Sequence, residues 1–244
     1  MKKTAIVAKA TPASATGLLV SVASLAEALT VAPLEVAIVD VKDPTQGALG
    51  AADPQMWHDI ERALKPSVCL SAALGEATQA TQMEQLPSRF RFAKAGPAGC
   101  QQLVDLQRHW DRIKSQLPPS VEFVAVAYAD HLQGQCPSPE AILSAAAKAG
   151  LRWWLLDTFQ KDGRSTLQHL GIKRLLALDQ AAREADMQWV LAGSLRLEDL
   201  PNPLLLRPRY VGLRGDVCEH GRTGQISATR VKQWSDHLRS EFGN

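Results

Sequence analysis

Val121-Glu122-Phe123-Val124-Ala125-Val126-Ala127-Tyr128, trailed by Ala129-Asp130 and then by Ser138-Pro139, is the stretch that decides how this chain folds. Its β-branched and aromatic residues mark a strand, and a serine followed by a proline marks an N-cap and the first helical position. Together they make one strand–loop–helix unit, and the pattern repeats in both directions. Further strands are predicted at Leu18–Val22, Glu35–Val41, Val68–Leu74, Arg89–Lys94, Leu151–Leu156, Met187–Ala192 and Tyr210–Arg214. Between them, Leu103, Leu106, Trp110, Ile113 and Leu117 recur on one helical face, and Val231, Trp234 and Leu238 stripe a closing helix. Eight strands at βα spacing in a chain of 244 residues predict an α/β protein, a single (β/α)8 TIM barrel. Residues 1–16 are read as an N-terminal extension dispensable for catalysis, and 17–244 as the catalytic barrel.

Two places strain this pattern. In Arg89-Phe90-Arg91-Phe92-Ala93-Lys94, alternation puts Phe90, Phe92 and Lys94 on one face. Arg89 and Arg91 then point towards the helices, where they need water or carboxylate partners. Pro201, Pro203 and Pro208 must shorten or break the seventh helix.

Composition narrows the function. Hydrophobic residues at 45% and charged residues at 21% describe an ordinary globular protein. A net charge of +2 gives no electrostatic basis for a nucleic-acid groove or a membrane patch. Lys9 and Pro12 interrupt the apolar start before it reaches signal-peptide length, and no run approaches the roughly 18 apolar residues of a spanning helix. Cys69, Cys100, Cys136 and Cys218 form no CxxC pair, and Cys69 reads as a small buried hydrophobe. A soluble protein of the reducing cytoplasm is expected. Trp57, Trp110 and Trp234 on predicted helices offer a face for a homo-oligomer.

The ionisable residues fall at strand ends. Asp40 and Lys42 close the second strand on one face, Lys94 closes the fourth, and Tyr128 and Asp130 the fifth. Asp157 closes the sixth, with Lys161 in the loop after it. In a (β/α)8 barrel these ends meet at one rim, where active sites sit. A lysine is nucleophilic only when neutral, and burial with neighbouring cations lowers its pKa. Taken singly, each lysine is more simply a solvated loop residue; three at matching ends point to amine catalysis.

A second group suits a phosphate. Gly193 and Ser194 follow the seventh strand; Arg214, Gly215 and Asp216 follow the eighth, on the two loops that commonly hold phosphate in barrels. Glycines let backbone N–H groups approach the oxygens, Ser194 adds a hydroxyl, and Arg214 adds charge if it points inward. Turn glycines without a ligand are the competing explanation. His131, His220 and Cys218 are weaker candidates near the same rim. No metal-ligand spacing and no dinucleotide fingerprint occur, so no cofactor is expected.

At these residues the chain resembles the (5-formylfuran-3-yl)methyl phosphate synthase family, also called 4-(hydroxymethyl)-2-furancarboxaldehyde-phosphate synthase. The matching segments are Asp40-Val41-Lys42-Asp43-Pro44, Gly47–Ala51, Ala93–Gly96, Ala127–Asp130, Leu156–Thr158 through Gly163, Leu191–Ser194 and Gly212–Gly215 through Glu219. The resemblance implies a barrel that condenses two molecules of glyceraldehyde 3-phosphate for the furan of methanofuran, a one-carbon carrier. It implies Lys42 as the Schiff-base lysine and Lys94 as proton acceptor, with Asp40, Asp157 and Lys161 completing the catalytic set. Asp130 and the two rim loops would bind substrate. The expected course is an imine on Lys42, an enamine that attacks the aldehyde of a second triose, then loss of phosphate, ring closure and dehydration. Another Schiff-base aldolase, or a non-catalytic barrel that binds a phosphorylated metabolite, would share much of this pattern.

Overall fold

The computed structural model describes residues 16–200 and 206–242. Eight parallel strands close into a barrel in chain order, the last pairing with the first. They are β1 (Gly17–Val22), β2 (Ile38–Val41), β3 (Leu70–Glu76), β4 (Phe92–Gly96), β5 (Glu122–Tyr128), β6 (Trp153–Asp157), β7 (Gln188–Leu191) and β8 (Tyr210–Leu213). The helices are α1 (Leu25–Val31), α2 (Pro54–Ala63), α3 (Leu103–Gln116), α4 (Pro139–Lys148), α5 (Thr166–Glu184) and α6 (Ala228–Phe242). After β3 and β7 the described residues hold only the 3-10 turns Met83–Gln85 and Leu197–Asp199. The expected (β/α)8 barrel is therefore present, with two of its helices reduced. Pro201 and Pro203 lie outside the described residues, as do residues 1–15 of the expected extension; Thr16 donates from Oγ1 to the Pro208 carbonyl at 2.8 Å. Among the described residues no helix is long and apolar enough to cross a membrane.

Local chemistry sets the element starts. Ser138 Oγ accepts from Ala141 N–H, so Pro139 opens α4 as predicted. Ser165 and Gln168 form a capping box that launches α5 just beyond the loop carrying Lys161. Strands β2, β3 and β4 start later than expected, at Ile38, Leu70 and Phe92, and β3 and β4 run on to Glu76 and Gly96. At β4 the cause is visible. Phe90 N–H closes a turn onto the Pro87 carbonyl, and Arg89 donates to the carbonyls of Glu61, Lys65 and Val68 at the end of α2. Arg89 thus finds carbonyls rather than carboxylates, while Arg91 lies 3.8 Å from Glu122. Because β4 runs on to Gly96, Lys94 lies inside the strand rather than at its tip.

Two apolar layers result. Within the barrel, Trp153 stacks on Tyr210 with ring centres 5.7 Å apart and meets Phe92 edge-on at 4.9 Å, filling the lower half. Between sheet and helices lie Trp57, Trp110, Trp154, Trp189 and Trp234. Trp57, Trp110 and Trp234 are 1%, 2% and 1% exposed, so they cannot form the self-association face expected of them. All four cysteines are free, and Cys69 is only half-buried because it precedes β3. Pairing around the barrel is uneven: β8 meets β1 over four residue pairs but β7 over only two, Val190 with Tyr210 and Leu191 with Val211.

Candidate active site

Above the aromatic layer the interior turns polar. Asp40 on β2 and Lys94 on β4 are fully buried and form an ion pair. Ser21 on β1 donates to Asp40 Oδ2 at 2.8 Å, and Lys94 Nζ lies 3.3 Å from Ser71 Oγ on β3. Four strands thus contribute one closed hydrogen-bonded cluster, which a buried ion pair requires if its desolvation is to be offset.

Lys42 stands one step further along the chain from β2, on the mouth side of this cluster. It is 7% exposed, and its Nζ reaches the Ala48 carbonyl at 3.4 Å. That carbonyl belongs to a loop folded on itself: Asp43 N–H donates to Gly50 O at 2.9 Å, and any side chain at Gly50 would strike the Asp43 carbonyl. Asp40 shares the face of Lys42 as predicted, yet its hydrogen bonds go to Ser21 and Lys94 instead. Asp157, at the tip of β6, accepts from Lys161 Nζ at 2.8 Å and from Thr158 N–H at 2.7 Å. Lys161 also donates to the Thr158 carbonyl at 2.6 Å.

The charges decide the state of Lys42. Burial pushes its amine down, Asp157 pulls it up, Lys161 pushes down again, and smaller opposing effects of Asp40 and Lys94 leave the pKa at about 8. For Asp157, burial works upward, but Lys161 and Lys42 outweigh it and hold the carboxyl below its usual range. The mouth therefore presents a partly neutral amine beside an ionised carboxylate.

A cavity of about 300 Å³ opens here, walled by the Asp40–Lys94 cluster, Lys42, Asp157, Lys161 and the loops after β7 and β8. Gly193 and Ser194 take left-handed backbone at φ 94° and 49°. A side chain at Gly193 would meet Thr166 Oγ1 at 2.1 Å, so only glycine fits. Gly215 and Asp216 line the facing loop. The Asp216 carboxylate accepts through Oδ2 from Leu197 N–H at 3.3 Å and Trp234 Nε1 at 2.8 Å, and so ties the two loops together.

Two expected ligands have other tasks. Arg214 engages all five of its N–H groups within the protein: with Glu27 on α1, through Nη1 at 2.5 Å and Nη2 at 3.1 Å, and with the carbonyls of Ser21, Arg222 and Gly224. It braces β8 against α1 and has no donor left for phosphate. Asp130 lies outside the cavity wall; its two oxygens accept from Phe159 N–H at 2.7 Å and Gln160 N–H at 2.8 Å, fixing the loop that carries Lys161. His131 and His220 do not line the cavity, and His220 is exposed. Cys218 is buried, which pushes its thiol pKa up and away from a thiolate. Sequence reasoning missed Ser21, Ser71 and Arg222. It also missed Glu76, whose carboxyl is raised by burial while it accepts from Tyr128 Oη at 2.7 Å.

Fold and site together define a class, an enzyme of the (β/α)8-barrel type whose working groups gather at the carboxyl ends of the strands. The 4-HFC-P synthase family model matches residues 18–235, and the chain belongs to that family. It is 32% identical over 206 residues to the (5-formylfuran-3-yl)methyl phosphate synthase of Methanosarcina barkeri, covering 80% of this chain and 88% of the relative. The enzyme of that name from Methanococcus maripaludis is 30% identical over 227 residues, covering 88% and 96%. Among solved structures, phosphoribosyl anthranilate isomerase from Thermus thermophilus superposes with a TM-score of 0.61 at 18% identity, covering 92% of this chain and 99% of that one. That likeness concerns the fold alone.

Proposed function

We propose that this protein is a (5-formylfuran-3-yl)methyl phosphate synthase of methanofuran-type cofactor biosynthesis. It acts as a carbon–oxygen lyase on two molecules of glyceraldehyde 3-phosphate, releasing one phosphate and two waters, in the cytoplasm. The observation that carries this reading is Lys42, a buried amine with a pKa of about 8 at the cavity wall, flanked by an ionised Asp157 and the Asp40–Lys94 pair.

Lys42 condenses with the aldehyde of one triose and expels water. The iminium acidifies C2–H, and the Asp40–Lys94 pair takes that proton to leave an enamine. The enamine electrons then form C2=C3 as the C3–O bond breaks and phosphate departs with its electron pair. The product's skeleton corrects the expected attack on an aldehyde. Its formyl carbon and two ring carbons come from one triose, and its phosphomethyl carbon and the other two ring carbons from the second. The new bond must join C3 of the first triose to C2 of the second, so the enediolate of the second adds at C2 to the conjugated C3. Hydrolysis frees Lys42, the C2 hydroxyl of the first unit closes on the remaining aldehyde, and two dehydrations give the furan. No oxidant is needed. On this reading Lys161 and Asp157, joined by a hydrogen bond of 2.8 Å, move protons in these late steps.

The test is incubation of purified protein with glyceraldehyde 3-phosphate. A furan-type ultraviolet chromophore appearing with released phosphate is expected. An aldol product without the chromophore supports an aldolase instead, and absence of turnover a binding protein.

A further inference from the structure

We infer that Arg222 binds the phosphate that leaves: its guanidinium holds the 3-phosphate of the triose carried on Lys42 and stabilises the dianion as the C3–O bond breaks. The inference rests on the synthase reading above and adds to it a specific holder for the departing group.

Most cations around the cavity already have carboxylate partners. Lys94 is paired with Asp40, Lys161 with Asp157 and Arg214 with Glu27. Arg196 lies 3.8 Å from Glu198 with over half of its side chain in solvent. Lys42 is the covalent amine. Arg222 lines the cavity and is half-buried, yet it forms no ion pair among the described residues. Its Nη2 donates to the Gly47 carbonyl at 2.7 Å. Burial pushes its pKa down, and Asp157 offsets this only in part. A guanidinium carries five N–H donors in a fork that suits phosphate oxygens. Here the fork is partly desolvated and turned to a cavity that, on this reading, must take two phosphates.

Its location assigns it to one of them. Lys42 Nζ reaches the Ala48 carbonyl, and Arg222 reaches the carbonyl just before it, at Gly47. Both cations therefore approach the same turn. In a triose on Lys42, phosphorus lies four bonds from the imine carbon, a short reach for a guanidinium anchored on the neighbouring carbonyl. The stem of Arg222 is fixed as well. Its carbonyl accepts from Arg214 Nε at 2.8 Å, and its Cβ lies 3.8 Å from where a Gly215 methyl would stand. The glycine loops after β7 and β8 are left for the phosphate that stays in the product. Arg214, sequence's own candidate, acts one step back by holding Arg222.

The elimination that Arg222 assists forms C2=C3, breaks C3–O and sends the bonding pair out with phosphate. Arg222→Gln removes the charge but keeps an N–H for the Gly47 carbonyl. Borohydride trapping on Lys42 is compared for glyceraldehyde 3-phosphate and for glyceraldehyde, alongside phosphate release in a single turnover. The preference for the phosphorylated aldehyde should fall about tenfold or more, and phosphate release about a hundredfold, while trapping of glyceraldehyde is unchanged. Arg222→Lys, which keeps charge without the fork, should recover part of both. Either quantity staying at the unaltered protein's value overturns the role of Arg222 and leaves the synthase reading standing. No trapped Lys42 in the unaltered protein with either aldehyde overturns that reading and this inference together.

Discussion

Replacing Lys161 with methionine should raise the pH at which Lys42 becomes a nucleophile. The Lys42 pKa of about 8 compares with an ordinary 10.5. At pH 7 about one amine in eleven is then neutral, rather than about one in three thousand. Lys161 contributes as a neighbouring cation, and by sitting 2.8 Å from Asp157 it also offsets the carboxylate that pulls Lys42 upward. Methionine removes both effects, and both changes raise the pKa. Taking a neighbouring unit charge at a generic distance of about 6 Å and an effective dielectric constant of about 20–40, the effect is worth about 1.4–2.8 kcal/mol, or about one to two pKa units. The midpoint should move to about 9–10, and labelling at pH 7 should fall about tenfold to a hundredfold. The assay is the initial rate of borohydride-dependent labelling of Lys42 by glyceraldehyde 3-phosphate from about pH 6 to about pH 11, bracketing both midpoints. On the alkaline plateau the two proteins should react alike. Asp157→Asn removes the largest upward pull and should shift the midpoint below 8. A midpoint that stays near 8 in Lys161→Met, or a loss equal at every pH, would refute this electrostatic account.

Peptide mapping after borohydride should find the adduct on Lys42 in the unaltered protein and in Lys94→Arg, and none in Lys42→Arg; an adduct on Lys94 or Lys161 would reverse the roles. Lys94→Met leaves Asp40 buried with only Ser21 as partner, so denaturant titration should show a loss of about 3–5 kcal/mol. Lys94→Met combined with Asp40→Leu should recover much of it; a double variant as unstable as the single one would contradict that. Gly193→Ala forces a side chain onto Thr166 at φ 94° and should weaken binding of inorganic phosphate in calorimetric titration, whereas unchanged affinity would move the retained phosphate off these loops.

Much of this was legible in the sequence because strand alternation is a strong constraint. Asp40, Lys42, Lys94 and Asp157 do face one interior, and Lys161 joins them from its loop. Errors arose where alternation stops carrying information. Arg214 does line the cavity, but its partner Glu27 sits on α1, 187 residues away in sequence, and no local pattern announces such a brace. Asp130 is two residues past the end of β5, where the chain has already turned, so extrapolating the strand face misplaced it. Arg89 ahead of β4 meets carbonyls at and beyond the end of α2, a long-range contact that alternation does not signal. Arg222 carries one visible signal, an arginine between Gly221 and Gly224 in the last βα loop, and nothing local distinguishes it from Arg214 nearer the strand. The tryptophans were misassigned because an apolar stripe on a helix does not say which layer it packs against.

The short pairing of β7 with β8 gives the barrel a seam. Two residue pairs join those strands where most neighbours share four, so this is where a breathing barrel should part first and where amide hydrogens should exchange soonest. The two glycine loops sit on either side of that seam at its upper end, linked by Asp216 through Leu197. A phosphate gripped by both loops would act as a stitch across the gap. Occupancy of the mouth would then be felt along the whole wall, slowing exchange in β7 and β8 well below the loops that touch the ligand. On the proposed reading the barrel would be most complete when loaded, its shortest strand pairing bridged by the bound phosphate.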